Sequence, residues 1–299
     1  MNYRHAFHAG NFADVFKHTI LIALLDALKA KPAAFCYVDT HAGRGRYDLR
    51  SHEAGRTLEY ADGVQRVLAA QRLPVPLQAY VDLLRAFDAD PRAESSPNSS
   101  DGSASIEPAC IGNYPGSPLI AARCMRAQDR AIVCELHDEE AAALKLALRG
   151  DARFAVHRRD GYAALKALLP PPQKRGLVLI DPPFEAQAAE YEQIQAALVD
   201  SVARWPQAIH AIWYPIKLRE PILPFHRWLA KHAGSADVLV VELLLHADNS
   251  GLRLNGCGLA ILNPPWRFDR QLAAWLPTLA NLLAQGDPAT CRSDWLKKT

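Results

Sequence analysis

The apolar positions of this chain fall into short continuous runs, separated by longer stretches in which apolar residues recur every three or four positions. Short runs rich in Val, Ile and Leu predict strands buried on both faces, and the three-to-four spacing predicts helices packed across them. The clearest run is Leu177-Val178-Leu179-Ile180, which stops at Asp181-Pro182-Pro183-Phe184. Six further strands are expected at 34–39, 130–136, 154–157, 208–214, 238–246 and 258–263, with Pro215 closing the fifth and the last two forming an antiparallel hairpin across 248–257. Helices are expected at 14–29, where Val15, Ile20, Ile22, Leu24, Leu25 and Leu28 form the apolar face, and at 138–149, 162–169, 190–204 and 222–233. A turn at Tyr114-Pro115-Gly116-Ser117-Pro118 offers Ser117 as N-cap and Pro118 as first helical residue of a helix reaching about 126. Strand and helix alternate without an internal repeat, which predicts an α/β fold: a doubly wound, mostly parallel, Rossmann-like sheet of seven strands.

Residues 50–112 break that alternation. Apolar residues recur there at helical spacing, with an interruption at Pro74 and Pro76, and a Ser/Pro-rich stretch at about 90–109 has the composition of a flexible loop. The expected organisation is a core of residues 1–49 and 113–299, its first 30 residues forming a motif block, with 50–112 as a small inserted helical subdomain. A chain of 299 residues that is 49% hydrophobic and 22% charged suits one large or two ordinary domains. The net charge of +2 neither demands nor excludes a nucleic acid partner. No apolar run reaches membrane-spanning length, and the N-terminus lacks the apolar segment of a signal peptide. The six cysteines (36, 110, 124, 134, 257 and 291) form no CxxC pair, so reduced thiols in a cytoplasmic protein are expected. His5, His8, His18 and His41 lack paired-ligand spacing, so no metal is expected.

The chemistry concentrates where strands end. In open α/β sheets, ligands bind beyond the carboxyl ends of the strands. Asp39 closes the first strand and is followed by Thr40-His41-Ala42-Gly43-Arg44-Gly45, a glycine turn short of the full Gly-x-Gly-x-x-Gly spacing. Glu135 closes the second strand, where a carboxylate suits a ribose diol; Asp160-Gly161 follows the third; Asp181 closes the fourth. This is the order of acids in a class I methyltransferase. Asp181-Pro182-Pro183-Phe184 resembles the (Asp/Asn)-Pro-Pro-aromatic motif of S-adenosylmethionine-dependent enzymes that methylate exocyclic amines. The N6 amine of adenine is a poor nucleophile because its lone pair is conjugated into the ring. The Asp181 carboxylate and the Pro182 carbonyl can each accept one N–H, and after alkylation Asp181 can take the proton. Phe184 can stack on the base, worth roughly 1–3 kcal/mol. A second match, Asn263-Pro264-Pro265-Trp266, follows the last strand and is read as a strand terminator with a packed indole.

The chain as a whole resembles the RlmJ family, bacterial methyltransferases that make N6-methyladenine in 23S ribosomal RNA. The resemblance rests on Tyr3-Arg4-His5-Ala6-Phe7-His8-Ala9-Gly10-Asn11, Asp14, Lys17-His18, Asp39 to Gly43, Tyr114 to Ile120, Asp181 to Phe184, Trp213-Tyr214-Pro215 and Asn263 to Trp266. It implies a Rossmann-like core with an inserted helical subdomain and S-adenosylmethionine as cofactor. It further implies that Lys17, His18, His41, Gly43, Ser117, Glu135, Asp160, Gly161 and Asp181 line the cofactor site and that Asp181 is the catalytic acceptor. Tyr3 would engage the target adenosine beside Phe184, which stands where the family more usually has tyrosine. The implied partner is 23S ribosomal RNA, protein-free or in an early assembly intermediate, with the enzyme a monomer away from membranes. Arg4, Arg44, Arg46, Arg158 and Arg159 serve equally well as substrate-binding phosphate contacts or as solvated surface charges. Guanine-N2 methylation of RNA, adenine-N6 methylation of DNA, and an RNA-binding protein that keeps the fold without turnover stay open as alternatives.

Overall fold

The first helix, α1 (Phe12–Lys29), starts at Asn11, whose side chain accepts the amide N–H of Asp14. A side-chain oxygen at this position satisfies one of the donors that a helix start leaves free. Strand β1 (Phe35–Asp39) follows, buried along its whole length. The computed structural model describes residues 4–90, 110–249, 253–286 and 288–298, so Tyr3 and all of the expected 90–109 loop beyond Asp90 lie outside the described residues.

After β1 the described residues form β2 (Arg46–Asp48) and then four helices: α2 (His52–Thr57), α3 (Glu59–Asp62), α4 (Val64–Leu68) and α5 (Val75–Asp88). It returns through β3 (Asn113–Pro115), which pairs antiparallel with β2. These helices do not form a core of their own. Leu77, Tyr80, Val81 and Leu84 of α5 belong to the same buried cluster as Phe16, Ile20 and Leu24 of α1.

Beyond β3 the alternation is regular: α6 (Ser117–Cys124), β4 (Arg130–Glu135), α7 (Asp138–Ala147), β5 (Phe154–Arg158), α8 (Gly161–Leu168), β6 (Arg175–Ile180), α9 (Gln187–Arg204), β7 (Ile209–Ile216), α10 (Ile222–His232), β8 (Val238–Leu244) and β9 (Gly256–Leu262). The chain ends with α11 (Phe268–Ala273), α12 (Leu276–Leu283) and β10 (Thr290–Lys297). The main sheet runs β10-β8-β9-β7-β6-β1-β4-β5. Strands β5, β4, β1, β6 and β7 are parallel, and β9, β8 and β10 are antiparallel additions on one side. The doubly wound, mostly parallel sheet therefore stands, with the expected antiparallel hairpin between β8 and β9.

Three details differ from expectation. The sheet has eight strands rather than seven, because Thr290–Lys297 adds an edge strand against β8. Pro215 does not close its strand; β7 continues to Ile216. Beyond Ile212, β7 has no β6 partner, so a residue without an N–H is tolerated there. Gly116, not Ser117, is the N-cap of α6.

Both faces of the sheet are covered. Along β6, Leu177 and Leu179 point into one apolar cluster with α1, α6 and α12, while Val178 and Ile180 point into the other with α8, α9 and α10. The two-residue period of a strand puts successive side chains on opposite faces, and burial on both explains the unbroken apolar run.

Candidate active site

Parallel pairing places the expected acids along one edge. Asp39 lies opposite Val133 of β4 and Leu179 of β6, so β1, β4 and β6 end within two residues of one another. The chain after β1 is tied to both neighbours. The amide and hydroxyl of Thr40 both donate to the Leu179 carbonyl, at 3.1 and 3.0 Å. Gly43 N–H donates to Glu135 Oε2 at 2.9 Å, and His137 N–H donates to Glu135 Oε1 at 2.8 Å. The Glu135 carboxylate is thus oriented from two sides by backbone donors.

Asp39 is fully buried. Its Oδ2 accepts from the Tyr37 hydroxyl at 2.6 Å and from the Ser117 hydroxyl at 2.7 Å. This is the function of Ser117 that turn chemistry misses: one residue into the helix, its hydroxyl serves a carboxylate rather than the helix start. Burial pushes the Asp39 carboxyl up to about 6 despite those donors. Asp160 caps α8, accepting from the Ala163 amide at 2.7 Å. Gly161 beside it touches the β1 loop backbone to backbone, and a Cβ there would sit 2.1 Å from the Thr40 carbonyl oxygen. His41 bonds Thr40 Oγ1 at 2.8 Å and meets the Tyr162 ring edge-on at 5.1 Å. Burial pushes it down to about 4, so it is neutral near pH 7.

Asp181 meets α1 across the cleft. Lys17 Nζ lies 2.5 Å from Asp181 Oδ2 and 2.9 Å from Asp14 Oδ1. Burial alone would lower the Lys17 ammonium, but these two carboxylates hold it well above the ordinary lysine range. Asp14 also accepts from Gly10 N–H at 3.0 Å and pairs with His5 Nε2 at 2.9 Å. Burial works to raise its carboxyl; His5 and Lys17 hold it well below the usual value. His18 bonds the Tyr114 hydroxyl at 2.7 Å, and burial pushes it down to about 3. A buried polar stripe of Asp14, Lys17 and His18 therefore runs along a helix whose apolar spacing alone was legible.

Phe184 adopts φ +29°, a left-handed conformation that costs a bulky residue on the order of 1–3 kcal/mol. Tyr191 and Trp213 meet its ring edge-on at 5.4 and 5.8 Å. Pro182 is buried behind it.

Other candidates fall elsewhere. Arg4 is exposed. Arg44 forks onto Glu140 at 2.6 and 2.9 Å, Arg46 lies 4.3 Å over the Phe87 ring, and Arg158 pairs with Asp138 on the surface. Asn263 follows β9, whose Leu262 lies opposite His210 near the start of β7, so it sits on the far edge of the sheet from Asp181. Its side chain donates to the Pro206 and Ala208 carbonyls at 2.8 and 2.9 Å, which makes it a terminator. The indole expected to pack beside it does not: Trp266 is 82% exposed. Among the described residues, no group of His, Cys, Asp and Glu is arranged to hold a metal ion, and no helix is long and apolar enough to cross a membrane.

The model of the family described as "Ribosomal RNA large subunit methyltransferase D, RlmJ" matches residues 32–106 and 107–297. The Ribosomal RNA large subunit methyltransferase J of Escherichia coli K12 is 35% identical over 99% of both chains, and that of Haemophilus influenzae is 34% identical over the same shares. The chain belongs to the RlmJ family. A crystal structure of protein LPL1258 from Legionella pneumophila superposes with a TM-score of 0.82 at 32% identity, covering 96% of this chain and 98% of that one. As an RlmJ family member the chain is an enzyme, a methyltransferase that uses S-adenosylmethionine. This strand-end edge suits that cofactor on its own terms. It presents an oriented carboxylate at Glu135, an exposed one at Asp160 and a neutral imidazole at His41, around a turn where Gly161 leaves no room for a side chain.

Proposed function

We propose that this RlmJ family member transfers a methyl group to the N6 amine of an adenine in 23S ribosomal RNA. The observation that carries the reading is the Lys17–Asp181 contact at 2.5 Å. It fixes one oxygen of a strand-end carboxylate and leaves the other for an incoming amine. Glu135, Asp160, Gly161, His41 and Gly43 would hold the cofactor, with Lys17, His18 and Ser117 supporting the wall behind it. When bound, S-adenosylmethionine supplies an electrophilic methyl group. Asp181 and the Pro182 carbonyl accept the two N–H bonds of the amine and turn its lone pair out of conjugation. Once the nitrogen carries the methyl group it is strongly acidic, and its proton passes to Asp181. Phe184 stacks on the base, Tyr3 helps seat it, and Arg4 contacts a phosphate. The base must leave its stack to reach this edge of the sheet.

Residues 50–112 act as an inserted helical subdomain of the core formed by 1–49 and 113–299. The enzyme works in the cytoplasm as a monomer, on protein-free RNA or an early assembly intermediate.

The test is transfer of label from S-adenosylmethionine to protein-free 23S RNA lacking the modification, followed by nucleoside analysis. Label in N6-methyladenosine is expected. Label in N2-methylguanosine, or none on RNA with DNA labelled instead, overturns the substrate reading. A second expectation concerns the cofactor. Gly161→Ala forces a backbone shift between the Asp160 turn and Thr40. Titration calorimetry should show its S-adenosylmethionine dissociation constant rising at least about tenfold, equivalent to about 1.4 kcal/mol. An unchanged constant would remove that turn from the cofactor site.

A further inference from the structure

Resting on the reading above, we propose that Glu59, at the start of α3, is a positioning residue for methyl transfer. It clamps residues 8–11 onto the helical insertion and so sets where α1, with Lys17, meets Asp181.

Both oxygens of Glu59 face the N-terminal segment. His8 Nδ1 lies 2.9 Å from Oε1 and 3.0 Å from Oε2, and the Asn11 side-chain amide donates to Oε2 at 3.0 Å. Asn11 is the hinge of the arrangement. Its amide nitrogen reaches Glu59 while its oxygen accepts the Asp14 N–H that starts α1. Asp14 in turn holds Lys17, and Lys17 holds Asp181. Four consecutive polar contacts therefore connect the insertion with the catalytic carboxylate. The electrostatics agree with an ion pair: Glu59 holds His8 above its ordinary value, and the His8 and Asn11 hydrogen bonds hold Glu59 below its own against burial. Asp14 is the other charged group that acts on both.

A backbone latch lies beside the clamp. Val64 N–H donates to the Gly10 carbonyl at 2.8 Å. A Cβ on Gly63 would stand 2.2 Å from that carbonyl oxygen, so only glycine permits the approach. The Thr57 hydroxyl donates to the Phe7 carbonyl, and the Arg56 guanidinium lies 5.8 Å over the Phe7 ring. The segment that reaches Asp14 through His5 and Gly10 is thus held to the protein largely by the first helices of the insertion. This gives the insertion work that its composition does not suggest. Between residues 50 and 90 its charges are mixed rather than basic, so it does not have the electrostatic footprint of an RNA-binding face.

A displacement of about 1 Å at a reacting group can cost about a hundredfold in rate, and the Glu59 side chain is 38% exposed, so its loss should cost activity more than stability. Glu59→Ala is expected to lower kcat on 23S RNA about tenfold, with the S-adenosylmethionine dissociation constant and the thermal midpoint close to the parent's. Glu59→Gln, which keeps an acceptor for Asn11, should recover most of the rate. In a double-mutant cycle, His8→Ala should add little to Glu59→Ala, because both remove the same contact. Native-state hydrogen exchange reads the clamp without any substrate: in Glu59→Ala the Gly10 and Asp14 amides should exchange faster by about tenfold. Unchanged exchange at those amides, or kcat within twofold of the parent, overturns the proposal. So does a parallel fall in cofactor affinity, thermal midpoint and rate, which would make Glu59 an ordinary stabilising residue. If the unaltered protein transfers no methyl to RNA, the substrate reading fails, and the exchange measurement still decides the clamp.

Discussion

Asp181→Ala is expected to lower kcat for methyl transfer by roughly 10²–10⁴-fold, the range that a positioned acid–base group supplies. Two losses combine. The amine loses the acceptor that draws its lone pair out of the ring, and the alkylated nitrogen loses its nearest proton acceptor. The fold should survive the change. Lys17 keeps Asp14 at 2.9 Å, so no unpaired charge is left buried, and the Asp181 side chain is already 16% exposed. Cofactor binding should fall much less than kcat, because Glu135 ends β4 and Asp160 caps α8, away from the Asp181 turn. Asp181→Asn separates the two losses. Its oxygen can still accept one N–H but cannot take the proton, so its rate should fall between those of the parent and Asp181→Ala. Single-turnover transfer to unmodified 23S RNA, with cofactor affinity measured in parallel, checks all three proteins. An Asp181→Ala rate within tenfold of the parent would dismiss the carboxylate from the chemistry.

What was legible in the sequence divides along physical lines. Strands buried on both faces advertise themselves as apolar runs, so β1, β4, β6 and β7, and the acids at the ends of the first three, could be read from residue order alone. Edge strands do not. In Thr290–Lys297 exposed and half-buried residues alternate, and Thr-Cys-Arg-Ser-Asp-Trp-Leu-Lys reads as a polar tail. Helix α1 was legible only on its apolar side. Its apolar face was visible, but helical spacing cannot show that Asp14, Lys17 and His18 also point inward, since buried charges are tolerated only when partners far along the chain meet them. Those partners, Asp181 and Tyr114, are 164 and 96 residues away from Lys17 and His18. Ser117 shows the same limit at short range: turn chemistry made it an N-cap, while Asp39, 78 residues earlier, claims its hydroxyl. Asn263 was placed correctly as a terminator, yet local pattern could not tell that Trp266 faces solvent. Glu59 carried no local signal at all, because its meaning lies in residues 8–11.

The largest expected effect on stability is acid sensitivity above the usual carboxylate range. Three histidines lie deep in the fold: His18 beside Tyr114, His210 bonded to Ser201 Oγ at 2.7 Å, and His226 bonded to the Tyr214 hydroxyl at 3.0 Å. Burial pushes them down to about 3, 4 and 4. In the unfolded chain each titrates near 6.5. A folded value below the unfolded one means that stability is fully present above about pH 6.5 and is lost as pH falls toward the folded values, because only the unfolded chain takes up the protons. At pH 5.5 each histidine costs about 1.4 kcal/mol, or about 4 kcal/mol for the three, and His41, likewise pushed down to about 4, adds about as much as one of them. Asp39 opposes this. Its folded value of about 6 exceeds the ordinary carboxylate value, so its protonation returns about 1 kcal/mol over the same interval. His8, raised by Glu59 but 36% exposed, opposes only weakly. Asp14, held well below the usual carboxylate value, titrates under this window. The net loss between pH 7.5 and 5.5 is about 4 kcal/mol, a large share of the roughly 5–15 kcal/mol that holds a typical domain together. Urea unfolding followed by circular dichroism at those two pH values measures it directly. His210→Asn, with an amide in place of the imidazole beside Ser201, should flatten the pH slope by about one proton. A parent whose unfolding free energy is the same at both pH values would mean that these histidines are protonated in the folded state, against their burial.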